Sequence, residues 1–352
     1  MEPFVYQALP QRVVFGTGTI AAIGDEVARL GRSRALILST PQQEDTAADL
    51  VGILGSRAAG NFAGAAMHTP VDVTENALAR ARELKADCVI AVGGGSTTGL
   101  AKAIALRTEL PQIVIPTTYA GSEATPILGE TSGGKKTTQR SRRVLPGVVI
   151  YDVDLSLSLP PALSVTSGLN AIAHAMEARY ARDRNPVISL LAVEGVRALA
   201  SALPRIVRNP ADRDARSDAL FGAWACGTCL GATSMGLHHK ICHVLGGSFG
   251  LPHAETHAVI LPHAIAYNEP VTNALLKPVA DVLESATATE GLFNLARRLG
   301  APTTLAEIGM PREGIARAAD EIVANPYWNP RPVEREGVLR LLEDAFAGRQ
   351  PS

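Results

Sequence analysis

The second half of the chain carries polar side chains at a spacing that suits catalysis or metal binding. Asn170 and His174 lie four residues apart in LNAIAHAMEA, and His239 and His243 lie four apart in HHKICHVLGG. Residues four apart share one face of a helix, and His253 follows in GLPHAETHAV. Two of the histidines with a carboxylate would bind zinc or iron. Position 170 is Asn, however, which is a weak ligand for such metals compared with Asp.

A glycine-rich turn in the first half of the chain is suited to bind phosphate. Residues 86–104 read ADCVIAVGGGSTTGLAKAI, a buried strand that leads through Gly93, Gly94, Gly95 and Ser96 into a helix. Glycines let the backbone approach a phosphate, and the N–H groups at a helix start bind anions. The turn matches neither the G-x-G-x-x-G nor the Walker A fingerprint, so a tight turn without a ligand stays an alternative.

Hydroxyl groups follow two other strands and strengthen the prediction of a nucleotide site. The segment PTTYAGSE supplies Thr117, Thr118 and Ser122 directly after the strand QIVIP, and Ser39 ends an earlier strand. Ligands of open α/β folds bind at the carboxyl ends of the strands. The sequence therefore predicts that these hydroxyls and the glycine-rich turn bind one dinucleotide, with Ser39 near its adenosine end.

These segments belong to an alternating series of strands and helices that runs to about residue 153. Apolar runs rich in β-branched residues predict buried strands, and alternation with helices predicts a parallel sheet. The predicted strands are Arg34–Thr40, Ala86–Val92, Gln112–Pro116 and Gly147–Tyr151, and the predicted helices are Ile20–Leu30, Val73–Leu84 and Thr98–Arg107. The basic segment 132–143 is expected to be a surface loop or hairpin.

Beyond residue 153 the chain has no comparable strand series and reads as helical. Apolar residues at three- and four-residue spacing predict helices, with Pro204 among the prolines that start or stop them. The predicted helices are Leu163–Ala181, Val187–Ala202, Ser217–Leu230, Met235–Leu245, Ala274–Ala286 and Glu290–Leu299. We therefore expect an α/β dinucleotide-binding domain over residues 1–153 and a helical substrate and catalytic domain over residues 154–352.

Composition excludes several classes of protein. The 352 residues are 46% hydrophobic and carry 33 Lys and Arg against 34 Asp and Glu, which excludes a disordered chain and a basic nucleic-acid binder. Four cysteines do not make a disulfide framework. No apolar run approaches the roughly 20 residues of a membrane span, and no signal peptide is recognised. A cytoplasmic protein without nucleic-acid or membrane partners is expected.

The motifs in order resemble the iron-containing alcohol dehydrogenase superfamily. The order is GGGS-x-x-x-x-A-K, PTT-x-x-GSE-x-TP, N-A-x-x-H, H-x-x-x-H-x-L-G-G and PH. Within that superfamily, GGGSTTGLAKAIAL, IPTTYAGSEATPI, RVLPGVVIYD and NPYWNPRPV are similar to the maleylacetate reductases, and the match runs from about Phe15 to Pro332. The resemblance implies a Rossmann-like nucleotide-binding domain followed by an all-α domain, as in the dehydroquinate synthase-like fold. It also implies NAD(P)H-dependent reduction of the conjugated C=C of 2-maleylacetate to 3-oxoadipate, in the degradation of aromatic compounds.

The resemblance also assigns residues to a metal site that this chain has altered. Asn170, His174, His239 and His253 fall where the alcohol dehydrogenases bind iron or zinc. Those enzymes carry Asp at the positions of Asn170 and Gly99, and both departures are similar to maleylacetate reductases. No metal is therefore expected to be required.

The remaining assignments concern catalysis and the two ligands. His243 falls at a non-ligand histidine beside the nicotinamide, so His243 and His253 are expected to act as proton donors or to stabilise an oxyanion. Tyr327 is a candidate phenol donor, and Asn170, His174 and His239 are expected to line the substrate pocket. The ligands are expected to be a small dicarboxylate and NADH or NADPH, since no acidic residue directly follows Ser39-Thr40. A homodimer is also expected.

The missing carboxylate is compatible with reduction of an alkene. Hydride addition to a conjugated alkene places negative charge on the ketone oxygen, which a hydrogen-bond donor stabilises without a metal. Three other functions stay open at the level of sequence. They are a zinc- or iron-dependent alcohol dehydrogenase of the same superfamily, a dehydroquinate-synthase-like lyase and a non-enzymatic nucleotide-binding protein.

Overall fold

The structure of the chain, a computed structural model, describes residues 3–133 and 135–351. These residues form two compact units. One comprises residues 9–159, and the other comprises residues 160–351 together with residues 3–8. The sheet of the first unit ends at Asp152, and the domain boundary expected after residue 153 stays a prediction.

The first unit is built on a six-stranded parallel sheet in the spatial order β1-β8-β5-β4-β2-β3, beside a two-stranded antiparallel hairpin of β6 and β7. The strands are β1 Arg12–Gly16, β2 Ala35–Leu38, β3 Ala58–Phe62, β4 Cys88–Gly93, β5 Gln112–Pro116, β6 Ile127–Ser132, β7 Lys135–Arg140 and β8 Val148–Asp152. The helices are α1 Ile23–Arg29, α2 Glu44–Leu54, α3 Val71–Glu83 and α4 Gly95–Thr108.

Burial of both faces explains why the inner strands are continuous apolar runs. Successive side chains of a strand point to opposite faces. Ile37 and Ile90 accordingly pack in one apolar cluster with α1 and α2, whereas Leu36 and Val89 pack in a second cluster with α3 and α4. Helices therefore cover both faces of the sheet, as is usual for parallel sheets.

Sequence analysis did not predict the two edge strands, and their composition explains why. β3 reads AAGNF and every residue in it is only partly buried, while β1 alternates exposed and partly buried residues. An edge strand lacks one neighbour, so it needs no continuous apolar run. The basic segment 132–143 contributes β7 to the hairpin, so the predicted hairpin is confirmed and the loop alternative is wrong.

The second unit is helical, as predicted. Its helices are α5 Pro161–Tyr180, α6 Pro186–Arg208, α7 Arg213–Ala232, α8 Leu237–Phe249, α9 His253–Val282, α10 Ala288–Arg298, α11 Ile315–Ala324 and α12 Arg335–Ala347. Every residue of α5 from Ser164 to Tyr180 is buried, because the helix packs against α6, α7 and α9. The predicted fold class is thus confirmed in both units.

Two helices whose boundaries were predicted wrongly in this unit contain internal prolines. α6 continues through Pro204 to Arg208, so the stop predicted there is wrong. The separate helix predicted at Ala274–Ala286 is also wrong, because α9 runs for 30 residues from His253 and contains Pro262, Pro270 and Pro278. Each proline removes one backbone hydrogen bond, and packing against neighbouring helices offsets the loss.

Length and composition alone would allow one helix of the described residues, α6, to cross a membrane. α7 and α8 meet the requirements of length and composition only as a pair, and that pair is bent by 97°. Core helices of proteins without membrane spans have the same length and composition, and α6 packs against α5 and α7. The finding is therefore weak evidence for a membrane span.

Gly99 in α4, where the resemblance implies an aspartate in the alcohol dehydrogenases, packs closely against Thr69. A Cβ atom at Gly99 would lie 2.2 Å from Oγ1 of Thr69. Thr69 is buried and has a φ of 47°, which is a left-handed conformation that a β-branched residue rarely adopts. The side chain of Thr69 therefore occupies the space that an aspartate at position 99 would need.

Candidate active site

The glycine-rich turn lies between β4 and α4. Gly93 ends the strand with a φ of 141°, and a Cβ atom there would lie 2.3 Å from Oε1 of Gln43. A Cβ atom on Gly94 would lie 2.9 Å from Cγ2 of Thr118, whereas one on Gly95 would meet nothing within 4 Å. Gly93 and Gly94 are thus required by close packing, and Gly95 leaves open space beside the helix start.

The backbone of this turn can bind an anion. The first helical hydrogen bond of α4 runs from the N–H of Thr98 to the carbonyl of Gly94 (3.1 Å). The N–H groups of residues 95–97, Ser96 among them, therefore lie in the first turn, where helix N–H groups are not used inside the helix. Together with the helix dipole, such groups bind phosphate.

The predicted cofactor residues lie along one edge of the sheet. The N–H of Thr117 donates to the carbonyl of Gly93 (3.0 Å) across neighbouring strands. The amide Nε2 of Gln43 donates to Oγ1 of Thr117 (2.8 Å). Ser39 follows β2, the neighbour of β4 on its other side, and is fully buried. The structure therefore brings the ends of β2, β4 and β5 together and adds Gln43, whose role the sequence did not predict.

Ser122 lies in a loop that a buried lysine holds. Its hydroxyl is buried and has no hydrogen-bond partner in the part of the chain that the structure describes. Its carbonyl accepts a hydrogen bond from Nζ of Lys102 (2.6 Å). The same Nζ donates to the carbonyls of Thr125 and Ile127, at 2.8 Å each. Burial lowers the pKa of Lys102 to about 7. The lysine of the A-K motif thus binds the loop that carries Ser122, a role that sequence analysis missed.

In the helical unit, histidines from three helices form one cluster. His174 lies in α5, His239 in α8 and His257 in α9. The rings of His174 and His239 stack with centroids 5.3 Å apart and planes inclined by 23°, and the ring of His257 lies 5.2 Å from that of His239. His253, the first residue of α9, is exposed and its ring lies 4.4 Å from that of His257. The cluster therefore joins three of the predicted residues to His257.

Glu177 is a member of this cluster that sequence analysis missed. It follows Asn170 and His174 on the same face of α5, at seven and three residues. Its carboxylate accepts a hydrogen bond from Nδ1 of His239 (2.6 Å), and both side chains are buried. Helical spacing alone was a signal for Glu177, because the carboxylate that seemed to be missing at position 170 is present two turns later.

Burial keeps several of these rings neutral. Nε2 of His238 lies 2.9 Å from Nδ1 of His257, so one ring donates to the other. Removal from water lowers the pKa values of His174, His238 and His257 well below that of free histidine. Five polar atoms of the cluster are buried without a hydrogen-bond partner among the described residues: Oδ1 of Asn170, Nδ1 of His174, Nδ1 of His238, Nε2 of His239 and Nε2 of His257.

His243 and Tyr327 form a pair at the more accessible side of the cluster. Nδ1 of His243 lies 2.9 Å from the hydroxyl of Tyr327, and both residues are partly buried. Burial and the negative charge of Glu177 raise the pKa of Tyr327, so the phenol keeps its proton near neutral pH. The structure thus joins Tyr327, from the motif NPYWNP, to a predicted catalytic histidine 84 residues away.

Comparison with known proteins identifies the family. Residues 10–153 match the iron-containing alcohol dehydrogenase family model, and residues 164–346 match the C-terminal model of the Fe-containing alcohol dehydrogenases. The chain is 57% identical over 351 residues to the maleylacetate reductase of Rhizobium sp. (strain MTP-10005), with 100% of both chains covered. The chain belongs to the maleylacetate reductases of the iron-containing alcohol dehydrogenase family.

Solved structures agree with this assignment. The crystal structure of maleylacetate reductase from Agrobacterium tumefaciens has a TM-score of 0.97 and 58% identity, with 100% of both chains covered. A 1,3-propanediol oxidoreductase with 24% identity and a TM-score of 0.91, covering 98% of this chain and 100% of its own, shares the fold. The predicted family and enzyme class, an oxidoreductase that uses a nicotinamide cofactor, are confirmed. The roles of individual residues stay predictions.

The open space at Gly95 separates cofactor binding from folding. We expect Gly95→Ala to leave thermal unfolding unchanged, because the methyl group meets no protein atom and alanine favours a helix. The same methyl group would stand where phosphate is predicted to bind, so NADH affinity should fall by about tenfold or more, which is 1.4 kcal/mol. Nicotinamide fluorescence titration and calorimetry measure the two quantities.

Gly52 provides the matched control for this variant. It lies on the exposed side of α2, and a Cβ atom there also meets nothing within 4 Å. Gly52→Ala should leave both NADH affinity and thermal unfolding unchanged. Wild-type NADH affinity in Gly95→Ala would contradict the predicted phosphate site.

Proposed function

We propose that the chain catalyses the NAD(P)H-dependent reduction of the conjugated C=C of 2-maleylacetate to 3-oxoadipate, in the degradation of aromatic compounds. The observation that carries this proposal is the full-length similarity to maleylacetate reductases, at 57% identity for the Rhizobium enzyme. The replacement of two aspartates of the alcohol dehydrogenases by Asn170 and Gly99 supports it.

The reaction adds one hydride and one proton across the double bond. Hydride from the nicotinamide adds to the alkene carbon β to the ketone, and the electron pair of the double bond moves to give an enolate on the ketone oxygen. Protonation of the carbon next to the ketone then restores the C=O group and completes 3-oxoadipate. The enzyme must therefore stabilise an enolate oxygen and deliver a proton to carbon.

The pair of His243 and Tyr327 is suited to both tasks. If the phenol donates to Nδ1 of His243, the neutral imidazole carries its proton on Nε2. If Nδ1 donates instead, the phenol directs its own hydrogen elsewhere. In either arrangement the pair has one N–H or O–H hydrogen that is not used in the hydrogen bond between the two residues. We assign proton delivery or enolate stabilisation to this pair, with His253 as the second candidate.

The buried part of the cluster supplies a pocket of fixed polar groups. Asn170, His174 and His239 each present a buried polar atom without a partner among the described residues. Buried polar atoms of this kind require a hydrogen-bond partner, which water or the polar groups of a dicarboxylate would provide. We assign these three residues to the substrate pocket.

The residues at the positions of the family's metal ligands do not fit a resident iron or zinc ion. Asn170 supplies a neutral amide where a carboxylate would offset the charge of the ion. Among the described residues, the group that places three ligand atoms within 4.8 Å of one another does not include His174, His239 or His253. We therefore propose a mechanism in which protein donors stabilise the enolate.

A second group, His238, Cys242 and His257, does place three ligand atoms within 4.8 Å of one another. The two ring nitrogens in it are 2.9 Å apart. Two nitrogens on one tetrahedral zinc lie about 3.3 Å apart, since each Zn–N bond is about 2.05 Å. The shorter distance is that of a hydrogen bond, so we interpret this group as a hydrogen-bonded pair of rings beside a thiol.

Cofactor choice, compartment and assembly complete the proposal. We propose that both NADH and NADPH are accepted, because Gln42 and Gln43 rather than an acidic residue follow Ser39-Thr40. Four free, buried cysteines favour a reducing compartment such as the cytoplasm. The homodimer stays a prediction.

An assay after metal removal tests the proposed function. We expect chelator-treated protein to oxidise NADH rapidly when 2-maleylacetate is added, because no step of the reaction needs a Lewis acid. Absorbance at the nicotinamide band gives the rate, and metal analysis verifies the removal. Activity that returns only with zinc or iron would favour the metal-dependent alternative. Absence of activity under both conditions would contradict the reduction of maleylacetate itself.

Tyr327→Phe tests the proposed donor pair. Loss of one donor to a developing oxyanion lowers kcat by about 10²- to 10³-fold, and we expect a fall of that order with little change in the dissociation constant of NADH. Steady-state kinetics and fluorescence titration measure the two. Tyr6→Phe, which changes an exposed tyrosine, should keep wild-type kcat. Wild-type kcat in Tyr327→Phe would remove the phenol from the mechanism.

A further inference from the structure

Glu177 connects α5 to the start of α8 through three hydrogen bonds. Oε2 accepts from the N–H of Gly236 (2.7 Å) and from Nδ1 of His239 (2.6 Å), and Oε1 accepts from the N–H of His238 (2.7 Å). The carboxylate is 2% exposed, so these bonds replace the water that it has lost. One buried side chain thus holds both the backbone and a histidine ring of the cluster.

Through the two backbone bonds, the side chain of Glu177 caps the N-terminus of α8, a helix on which it does not lie. Gly236 is the N-cap residue of α8 and provides no side-chain cap of its own. The N–H groups at such a position have no partner inside the helix. A Cβ atom on Gly236 would lie 3.0 Å from Oε1 of Glu177, so glycine is needed for this close approach.

Other helices of the unit are capped locally. Asn185, Asp212 and Thr287 cap α6, α7 and α10, and each accepts from an N–H three residues later. A cap on α8 thus does not require a residue 59 positions away. What the distant carboxylate adds is its third bond, to the imidazole of His239.

That third bond determines which nitrogen of His239 carries hydrogen. A carboxylate that accepts two backbone N–H groups receives a hydrogen bond from Nδ1, so Nδ1 is protonated. In the neutral ring Nε2 then carries a lone pair and can only accept a hydrogen bond. Nε2 is buried and lacks a partner among the described residues.

We propose that Glu177 is a positioning residue for the reduction: it fixes His239 in the Nδ1–H form and fixes the ring at the start of α8. The stack of His239 on His174 depends on this orientation, and so does the position of His243 one turn further along α8. The Nδ1–H form of His239 is a hydrogen-bond acceptor at Nε2, so we assign proton donation to the pair of His243 and Tyr327 or to His253. This inference rests on the proposed function.

Glu177→Gln tests the proposal with a side chain of the same size. A glutamine has one oxygen, so no orientation of its amide can accept from all three N–H groups. We expect kcat with 2-maleylacetate to fall by about 10- to 100-fold, the cost of a misplaced catalytic group, while the dissociation constant of NADH stays at the wild-type value. ¹⁵N NMR of the imidazole, assigned by comparison with His239→Gln, should show Nδ1–H in the wild type and its loss in Glu177→Gln.

Asp183→Asn is the matched control. Oδ1 of Asp183 accepts from the N–H of Ser234 (2.9 Å), so it holds the segment before α8 without touching a ring in any described contact. Asp183→Asn should keep the wild-type kcat and the Nδ1–H signal of His239. An equal loss of kcat in both variants would overturn the proposal, because support of the backbone alone would then explain it.

Further outcomes also decide whether Glu177 positions His239. If Glu177→Gln does not fold, Glu177→Asp is used, since it keeps a carboxylate: retention of Nδ1–H with a lowered kcat supports the proposal, and an unchanged kcat overturns it. Retention of both wild-type kcat and Nδ1–H in Glu177→Gln also overturns it. Failure of the wild type to reduce maleylacetate refutes the proposed function instead, because the NMR signal does not depend on substrate.

Discussion

Each polar side chain of a helix that is buried on every side needs a hydrogen-bond partner. α5 is such a helix, with all residues from Ser164 to Tyr180 inside the protein. Unpaired buried polar groups cost about 1–3 kcal/mol each, so Asn170, His174 and Glu177 require partners or a ligand. Glu177 finds its partners on α8, and the histidine cluster assembles around that contact. Of these three residues, Asn170 and His174 keep a buried polar atom without a partner among the described residues, and both are predicted to contact the substrate.

In the first unit the constraint is different: the backbone of the glycine-rich turn must lie close to neighbouring side chains. Gly93 lies against the side chain of Gln43, just before α2, and Gly94 lies against that of Thr118, just after β5, so a Cβ atom at either position would clash. Their packing fixes the start of α4, and Gly95 alone leaves space there. A phosphate site results from N–H groups that the helix leaves unused. The buried side chain of Lys102 also contributes to this edge of the sheet, because it holds the loop of Ser122 through hydrogen bonds.

The sequence predicted those parts of the fold in which local pattern and burial agree. The run before Gly93 ends in glycines, so strand, turn and helix were all recognisable. β3 was not, because an edge strand made of small and polar residues has no apolar pattern. Pro204 was a poor guide to a helix end, because tertiary packing overrides the loss of one hydrogen bond. For the site, spacing predicted the shared face of Asn170 and His174. The partners of Glu177, 59 to 62 residues away, are fixed only by the fold.

In the proposed mechanism, hydrogen-bond donors take the place of a metal site. An alcohol dehydrogenase transfers hydride to or from a carbonyl carbon, and a metal ion stabilises charge on the oxygen bound to that carbon. Reduction of a conjugated alkene moves the hydride two carbons away, while the charge still develops on the ketone oxygen. The most direct test is reduction of 2-maleylacetate with nicotinamide that carries deuterium at the transferred position. We predict deuterium at the carbon β to the ketone of 3-oxoadipate; deuterium on a newly formed carbinol carbon would contradict the account.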